Sequence, residues 1–597
     1  MSLAAQGSRW GGGIAAVACL ITFAGAAAPA GAQTSQTKEL QDRCRNENQS
    51  IPGDQQIASC TTLIQSRHLS KQELAAAYVN RGDAYRYGGE LDRALSDYNE
   101  AIRIDPGNAR AFHGRGFTYG LRGDWEHAII EYTQAIRLDP KNAGEYGFRG
   151  VAYHNKGDYD RAIADYNQGL QLDPRNSWIL FNRGNSYHEK GDCDRAIADY
   201  DEAIKIFPQY AAAFENRGLC YFEKNDYGRA IADYSEAIRL SPDADAYVVR
   251  GASYLLSGDY RSALADLNEA IRINPNDAMA FNSRGLAYRK LRDYDHAIAD
   301  YSEAIRLNPK DPDTYNNRGL VYGDEGQFDL AIADYDRAIQ INPRHAFAFK
   351  NRGDAHHGKG EEARAIADYN EAIRIDPTYA DALCRRGDAY QAQGMFDRAL
   401  ADYNRAIQIN PNFAQARNSR GFFFFSRGDN ERAIADFNEA IRLDPKFTLA
   451  YLNRGVVNLY SGSLAKAEDD FSRAVSLSPE DAYALLWREI ADRRNNQSSR
   501  LGEAASRVDQ TVWPAPIVNF YLGQLTTDAV LAAVNVPDAF KKRARTCDGD
   551  FFSAEQSLHQ NDKDAAKRLF QAAAICPPNM IVTWAAKAEL KALERNY

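Results

Sequence analysis

The 597-residue chain has little methionine, little cysteine and no excess of basic charge, with 4 Met, 8 Cys and a formal net charge of −9. Proteins that bind nucleic acid usually carry a basic face that neutralises phosphates. The acidic balance therefore argues against nucleic acid as a partner, and it serves mainly to keep a long chain soluble. After residue 32 no apolar run is long enough to span a bilayer, so the mature chain should have no integral membrane span.

Motifs of catalysis and of cofactor binding are also missing. His188-Glu189 lacks a second histidine at the spacing of a metalloprotease helix, and His356-His357 has no third ligand nearby in the sequence. A phosphate-binding loop, a nucleophile elbow and a Cys-x-x-Cys pair are not found. We therefore expect no catalytic residues, no metal and no cofactor.

The first 32 residues differ from the rest of the chain. Arg9 is their one charged side chain, residues 14–28 are almost wholly apolar, and small residues lead up to Ala32. This pattern is typical of a secretory signal peptide cut after Ala32, and it predicts a periplasmic or secreted protein. Two alternatives are an uncleaved anchor over residues 11–32, which could just span a bilayer, and a lipoprotein acylated at Cys19.

A repeat dominates the remainder. The dipeptide Arg-Gly recurs every 34 residues, with one interval of 33 before Arg250, and a proline closes each unit. Twelve units fill residues 75–481. Their arginines are Arg81, Arg115, Arg149, Arg183, Arg217, Arg250, Arg284, Arg318, Arg352, Arg386, Arg420 and Arg454. Units of this length cannot bury a core alone, and stacking supplies it.

The letters of one unit predict two antiparallel helices. In residues 75–108, Gly82 and Ala94 allow the helices to approach, and Tyr98 fills the space beside them. Gly89, at position 15 of the unit, suits the left-handed turn between the helices, and Pro106 ends the second helix. Position 15 is glycine in ten of the twelve units, the exceptions being Asn225 and Arg292.

This period and pattern resemble the tetratricopeptide repeat (TPR) family. The resemblance implies an all-α fold, a right-handed superhelical solenoid of antiparallel helix pairs with helical capping regions. One departure is that position 7, commonly leucine in the family, is arginine in all twelve units, while position 23 is aspartate except for Glu131. We predict an interior Arg–carboxylate pair in each unit; the alternative is a ladder of arginines that faces a ligand.

Both ends depart from the period. Residues 33–74 are interpreted as a degenerate N-terminal repeat in which Cys44 and Cys60 face each other, and residues 482–597 as a helical C-terminal cap with a degenerate last repeat carrying Cys547 and Cys576. The cap resembles the C-terminal region of exported bacterial TPR proteins. In an oxidising compartment both cysteine pairs should form disulfides. Cys193, Cys220 and Cys384 are left over, and their pairing stays open.

Six positions of the first helix (2, 5, 6, 9, 12 and 13) vary strongly between units, and in TPR proteins they line a concave groove that binds partner peptides. We call them the first-helix face. In units two to five they hold His113, Phe117, Phe148, His154, Trp178, Phe181, His188 and Phe222. Aromatic anchors carry much of the energy of protein interfaces, and we expect these side chains to face solvent. Asparagines at position 6, including Asn182, Asn216, Asn317 and Asn351, offer a donor and an acceptor to an extended peptide, although asparagine is also common at this family position.

Two further features complete the prediction. In units seven to ten the first-helix face becomes mixed-charge, with Lys350 and Arg385 among several aspartates. In the last units it is very apolar, from Phe422 through Leu449 to Tyr460, and we expect the cap to cover it. The sequence therefore favours a non-enzymatic scaffold that binds protein or extended peptide segments in the cell envelope. The alternative is a structural envelope component that assembles through its convex face or its ends. The partner and the oligomeric state are not predicted.

Overall fold

The computed structural model describes residues 35–47, 50–66, 69–536, 539–577 and 580–595. Over these residues the chain consists of α-helices, their connecting turns and one short 3-10 helix, with no β-strand. The all-α prediction is confirmed. Among the described helices, none is both long and apolar enough to cross a bilayer. The predicted signal peptide, residues 1–32, lies outside the described residues.

The chain divides into two compact units after Pro242, where the interval between repeats drops from 34 to 33 residues. The helices of the first unit are α1 (Ser35–Arg45), α2 (Gly53–Gln65), α3 (Lys71–Tyr87), α4 (Leu91–Ile104), α5 (Ala109–Leu121), α6 (Trp125–Leu138), α7 (Ala143–Asn155), α8 (Tyr159–Leu172), α9 (Ser177–Glu189), α10 (Cys193–Ile206), α11 (Ala211–Glu223) and α12 (Tyr227–Leu240).

The second unit begins at Asp243. Its repeat helices are α13 (Ala244–Ser257), α14 (Tyr260–Ile273), α15 (Ala278–Lys290), α16 (Tyr294–Leu307), α17 (Pro312–Asp324), α18 (Phe328–Ile341), α19 (Ala346–Gly358), α20 (Glu362–Ile375), α21 (Ala380–Ala392), α22 (Phe396–Ile409), α23 (Ala414–Ser426), α24 (Asn430–Leu443), α25 (Thr448–Tyr460) and α26 (Leu464–Leu477). The cap follows with α27 (Ala482–Arg494), α28 (Leu501–Ala504), a 3-10 turn (Ala505–Arg507), α29 (Ala515–Tyr521), α30 (Thr527–Ala533), α31 (Ala539–His559), α32 (Lys563–Ala574) and α33 (Ile581–Arg595).

Each repeat folds as the letters of its sequence predict. In α7 and α8, Gly157 takes a φ of 77°, and the side chain of Asp158 caps α8 by accepting from the backbone N–H of Arg161 at 3.1 Å. A Cβ at Gly150 would lie 2.6 Å from the ring of Tyr166, so only glycine fits this crossing. Asn225 and Arg292, the two exceptions at position 15, also have positive φ, so the turn is kept even where its preferred residue is absent.

The predicted Arg–carboxylate pair is confirmed in all twelve repeats. In repeat three, Arg149 donates from Nε and Nη2 to both oxygens of Asp165, at 2.7 and 2.6 Å. Its third nitrogen, Nη1, donates to Oγ1 of Thr133 in the preceding repeat at 3.2 Å. Each guanidinium is therefore engaged inside the protein, which favours the structural interpretation over a ladder that faces a ligand.

The position-25 acceptor of the preceding repeat, Thr133 in this example, was not predicted. It recurs as Thr61, Asn99, Asn167, Asp201, Asn268, Ser302, Asp336, Asn370, Asn404 and Asn438. Because it comes from the neighbouring repeat, the same arginine stabilises both a helix pair and the stacking of one pair on the next.

The cysteine pairs of both ends meet as predicted. The sulfur atoms of Cys44, in α1, and Cys60, in α2, lie at disulfide-bonding distance, and so do those of Cys547, in α31, and Cys576, after α32. Cys193, Cys220 and Cys384 carry no disulfide.

The cap covers most of the apolar face of the last repeats. Trp487 of α27 stacks on Phe471 of α26 with ring centroids 6.2 Å apart, and Phe551 of α31 lies 5.2 Å from Trp487. Leu452 and Leu459 are buried, whereas Leu449 stays 44% exposed and departs from the expectation. The first helix of the degenerate last repeat, α31, begins at Ala539 and carries Cys547.

Candidate protein-binding face

Four side chains from the first helices of repeats two to four form a contiguous set, which we call the aromatic cluster: His113, Phe117, Phe148 and Trp178. The ring of Phe148 is its centre, with centroids 4.9 Å from His113, 5.9 Å from Phe117 and 5.0 Å from Trp178. All four side chains are partly exposed. The structure therefore brings together four of the predicted residues on α5, α7 and α9.

Neighbouring residues hold the aromatic cluster in place. Gly147 allows close approach, since a Cβ there would lie 2.5 Å from the ring of Trp178. The guanidinium of Arg86 lies 4.7 Å from the centroid of Phe117, a cation–π contact. His113 Nδ1 lies 3.2 Å from Oε2 of the buried Glu145. The aromatic cluster is therefore a hydrophobic surface that neighbouring residues hold in place and polar side chains border.

Phe181 departs from the expectation that it faces solvent. Only 8% of it is exposed, and its ring packs against Tyr200 and Tyr210 with centroids 5.9 and 4.8 Å away. Phe181 is buried because Tyr210, in the loop between repeats four and five, packs its ring against it. Phe181 is a core residue of the junction between repeats four and five.

Three other predicted residues lie near the ends of the first helices α7, α9 and α11. His154 Nδ1 is 2.8 Å from Oγ of Ser186, and burial lowers the pKa of this histidine. His188 Nε2 is 3.1 Å from Oε2 of Glu223, and this hydrogen bond raises the pKa of His188. Phe222 packs edge-on against Tyr227, which belongs to its own repeat, with centroids 5.8 Å apart.

The position-6 asparagines make hydrogen bonds within the protein. Asn182 Nδ2 donates to the backbone oxygen of Trp178 at 2.8 Å, and Asn216 Nδ2 donates to Asn185 Oδ1 at 2.8 Å. In the second compact unit, Asn317 and Asn351 donate to Asn282 and Asn316 of the preceding repeats at 3.1 and 2.8 Å. Part of the donor capacity that a peptide backbone would use is thus already engaged in joining repeats.

The charged side chains of the first-helix face lie in the second compact unit, in repeats nine and ten, and they pair with one another. Lys350 Nζ lies 2.7 Å from Asp381 and 3.1 Å from Asp354. Burial lowers the pKa of Lys350, but Asp354 and Asp381 outweigh it and the net direction is upward. Arg385 lies 3.6 Å from Asp381. These charges neutralise one another and keep the lysine protonated.

Sequence reasoning missed one constellation beside this face. The ligand-type atoms of His188, Cys193 and Cys220 all lie within 4.8 Å of one another, at the junction of repeats four and five. The sequence signal was the presence of Cys193 and Cys220, which the predicted disulfides leave over. They are 27 residues apart, and only the stacking of successive repeats brings them together.

Family models of the tetratricopeptide repeat match the chain over most of its periodic region. The matched residues are 82–123, 109–142, 150–191, 181–245, 251–292, 285–326, 312–345, 353–394, 380–413 and 423–462. The chain belongs to the tetratricopeptide repeat family. Among curated protein sequences, no significant match is found.

Several solved structures of helical-repeat proteins are similar to the chain. The APC/C hetero-tetramer Cut9-Hcn1 is 15% identical with a TM-score of 0.38, covering 76% of this chain and 96% of the other. Yeast Tom70 is 16% identical with a TM-score of 0.37, covering 76% and 100%. YrrB, described as a TPR protein with an unusual peptide-binding site, is 23% identical with a TM-score of 0.28, covering 31% and 95%. The family assignment rests on the sequence matches.

Proposed function

We propose that the protein is a non-enzymatic scaffold of the cell envelope that binds an extended segment of a partner protein on the first-helix face of repeats two to five. The observation that carries the proposal is the aromatic cluster. Its rings are partly exposed and contact one another across three successive repeats. TPR proteins bind peptides or proteins, and aromatic side chains are the residues most often found as anchors of such interfaces.

The structure changes which residues would grip the partner. The rings of Phe117, Phe148 and Trp178 are partly exposed and can contact a partner, whereas Phe181 is buried in the core. The position-6 asparagines retain only part of their N–H donor capacity, because Asn216, Asn317 and Asn351 already donate from Nδ2 to asparagines of the preceding repeats. Side-chain burial by the aromatic cluster therefore supplies more of the affinity than backbone hydrogen bonding does.

The test compares the full chain with a Phe117→Ala/Trp178→Ala double variant. Proteins captured by crosslinking in the native envelope are identified first, and the affinity of the captured segment is then measured by calorimetry. The double variant should lose about 2–4 kcal/mol of binding free energy, as truncation of interface anchors does. Its helicity should be kept, because both rings are partly exposed.

Ile130→Ala is the matched control for this experiment. Ile130 is 54% exposed on α6, a second helix, so its truncation removes apolar surface away from the first-helix face. It should leave the affinity unchanged. A double variant that keeps its fold and captures the full set of partners would overturn the proposal and favour a structural component that assembles through other surfaces.

A further inference from the structure

We propose that His188, Cys193, Cys220 and Glu223 form a binding site for a thiophilic divalent cation, with Zn²⁺ as the fitting ion, at the junction of repeats four and five. The proposal is independent of the scaffold function. His188 is near the end of α9, Cys193 is the first residue of α10, and Cys220 and Glu223 are on the last turn of α11. The site therefore draws on both helices of one repeat and the first helix of the next.

The donor set is that of a zinc site. Zn²⁺ prefers four ligands chosen from cysteine sulfur, histidine nitrogen and carboxylate oxygen, in a tetrahedral arrangement. Two thiols, one imidazole and one carboxylate meet that requirement. The two sulfurs also argue against Mg²⁺ and Ca²⁺, which take oxygen ligands.

The distances are close to those that a tetrahedral ion imposes. With ordinary Zn–ligand bond lengths, an oxygen and a nitrogen of one tetrahedron lie about 3.3 Å apart, and an oxygen and a sulfur about 3.5 Å apart. Glu223 Oε2 lies 3.1 Å from His188 Nε2 and 3.4 Å from Cys193 Sγ. The ligand atoms of His188, Cys193 and Cys220 lie within 4.8 Å of one another, against about 3.8 Å between two sulfurs of such a site. A contraction of about 1 Å would bring these three atoms to tetrahedral spacing, and Glu223 Oε2 is already at ligand spacing from two of them.

The repeat itself offers an internal comparison. At position 17 the other repeats carry Leu91, Trp125, Tyr159, Tyr227, Tyr260, Tyr294, Phe328, Glu362, Phe396, Asn430 and Leu464, and Cys193 is the sole cysteine. At position 10, Cys220 is likewise the sole cysteine. The two substitutions occur in adjacent repeats, where stacking places them side by side and next to a histidine at position 12. Cys384, another buried thiol, belongs to no such group of three or more ligand-type side chains among the described residues.

Binding of the ion would change the local chemistry in a defined way. Cys193 and Cys220 would each lose a proton to solvent and bind as thiolates. His188 would give up the proton that Nε2 donates to Glu223, either to solvent or by tautomeric transfer to Nδ1, and would bind through the Nε2 lone pair as a neutral imidazole protonated on Nδ1. Because the ligands come from two repeats, the bound ion would tie repeat four to repeat five beside the first-helix face.

The experiment uses the full chain prepared under argon without reductant, so that the two disulfide pairs stay closed, and freed of metal with a chelator. Co²⁺ is titrated first as a spectroscopic probe, and Zn²⁺ is then added as competitor. We expect one Co²⁺ per chain, with thiolate-to-metal charge-transfer absorption and the d–d bands of a tetrahedral site, all removed by Zn²⁺. Zn²⁺ should also raise the unfolding temperature.

Variants decide whether these residues are the ligands. Cys193→Ser and Cys220→Ser should each lose the charge-transfer band and the upward shift in unfolding temperature, and His188→Gln should weaken binding by at least about tenfold. Cys384→Ser is the matched control, a buried thiol of repeat ten that should leave everything unchanged. Absence of a stoichiometric thiolate band in the wild type would overturn the proposal, as would its survival in both cysteine variants. A Cys193–Cys220 disulfide found by mass mapping of the chain, with free thiols blocked on lysis, would also overturn it.

Discussion

A position-7 arginine has three donor directions and uses all of them. In repeat seven, Arg284 donates from Nε and Nη2 to Asp300 at 2.8 and 2.7 Å, and from Nη1 to Asn268 of repeat six at 2.6 Å. Planar bidentate geometry of this kind suits arginine and not lysine. Asp300 is only 6% exposed, and Arg284 compensates its buried charge.

Replacement of Arg284 by alanine should therefore destabilise the protein. The change leaves the buried carboxylate of Asp300 unpaired, and loss of one member of a buried pair costs on the order of 3 kcal/mol. Denaturant unfolding of the second unit's repeats, followed by circular dichroism, measures the effect. Arg272→Ala is the control, since Arg272 pairs with Glu269 on the surface and is 70% exposed; it should change stability little. Equal unfolding free energies of the two variants would show that the interior pair contributes no more to stability than the surface pair.

Contacts of residues that recur in every repeat could be predicted from the sequence, and contacts of residues that vary between repeats could not. The Arg–carboxylate pair was predictable because both residues recur at fixed positions in every unit. The position-25 acceptor was not, because threonine, serine, asparagine and aspartate share the role. The burial of Phe181 depends on Tyr210, a loop residue that no periodic rule places against it.

Among the larger elements, the C-terminal cap has a buried acid at its centre. Asp548 of α31 accepts from the hydroxyl of Tyr483 at 2.6 Å and from Nε1 of Trp513 at 3.1 Å. Burial raises the pKa of Asp548 to about 6, although both hydrogen bonds act in the opposite direction. One carboxylate thus joins α27, the segment before α29 and α31, and its protonation state is tied to folding of the cap.

The stability of the cap should therefore rise as the pH falls from 7 to 5. A carboxyl group whose pKa is higher in the folded state than in the unfolded chain binds more protons when folded, so its contribution is lost as the pH rises through about 6. For Asp548 alone the change between pH 7 and pH 5 is about 1 kcal/mol. Urea unfolding followed by tryptophan fluorescence, at both pH values, measures it.

An Asp548→Asn variant isolates this contribution. The amide does not titrate, so the variant should lack that part of the pH dependence, while other acids of the cap act equally in both proteins. Asp564→Asn, at an exposed residue of α32, should behave like the wild type. If wild type and Asp548→Asn gain the same stability on acidification, the buried carboxyl of Asp548 is not the titrating group.

The helix pairs themselves were the most predictable elements, because a 34-residue period fixes where each helix starts and stops. The cap was the least predictable. Its helices have no period, and contacts such as Arg494 with Glu555 and Glu589, at 2.7 and 2.6 Å, join residues more than 60 positions apart. Hydrophobicity predicted that the cap would cover the last repeats, but no pattern in the sequence specified which side chains would meet.

For the whole molecule, the one-residue shortening before Arg250 marks the division into two compact units. The aromatic cluster and the proposed cation site belong to the first unit, and the paired charges around Lys350 belong to the second. The first-helix face is thus apolar and partly exposed in repeats two to four, and charge-paired around Lys350 in repeats nine and ten. A partner of the first unit should be recognised through apolar side chains, and its binding should depend weakly on salt.

Export of the chain is a prediction, and it can be tested by its covalent consequences. We predict a mature protein that begins at Gln33 and carries the Cys44–Cys60 and Cys547–Cys576 disulfides. A cleaved signal peptide delivers the chain to an oxidising compartment, where such pairs persist, while a reducing cytosol would keep them open. Intact mass and non-reducing peptide mapping of the chain from its native host check both points, after free thiols are blocked with an alkylating agent. Cys384 is an internal reference, since it should be alkylated after unfolding without reductant. Alkylation of all four paired cysteines under the same conditions, or retention of residues 1–32, would contradict the prediction.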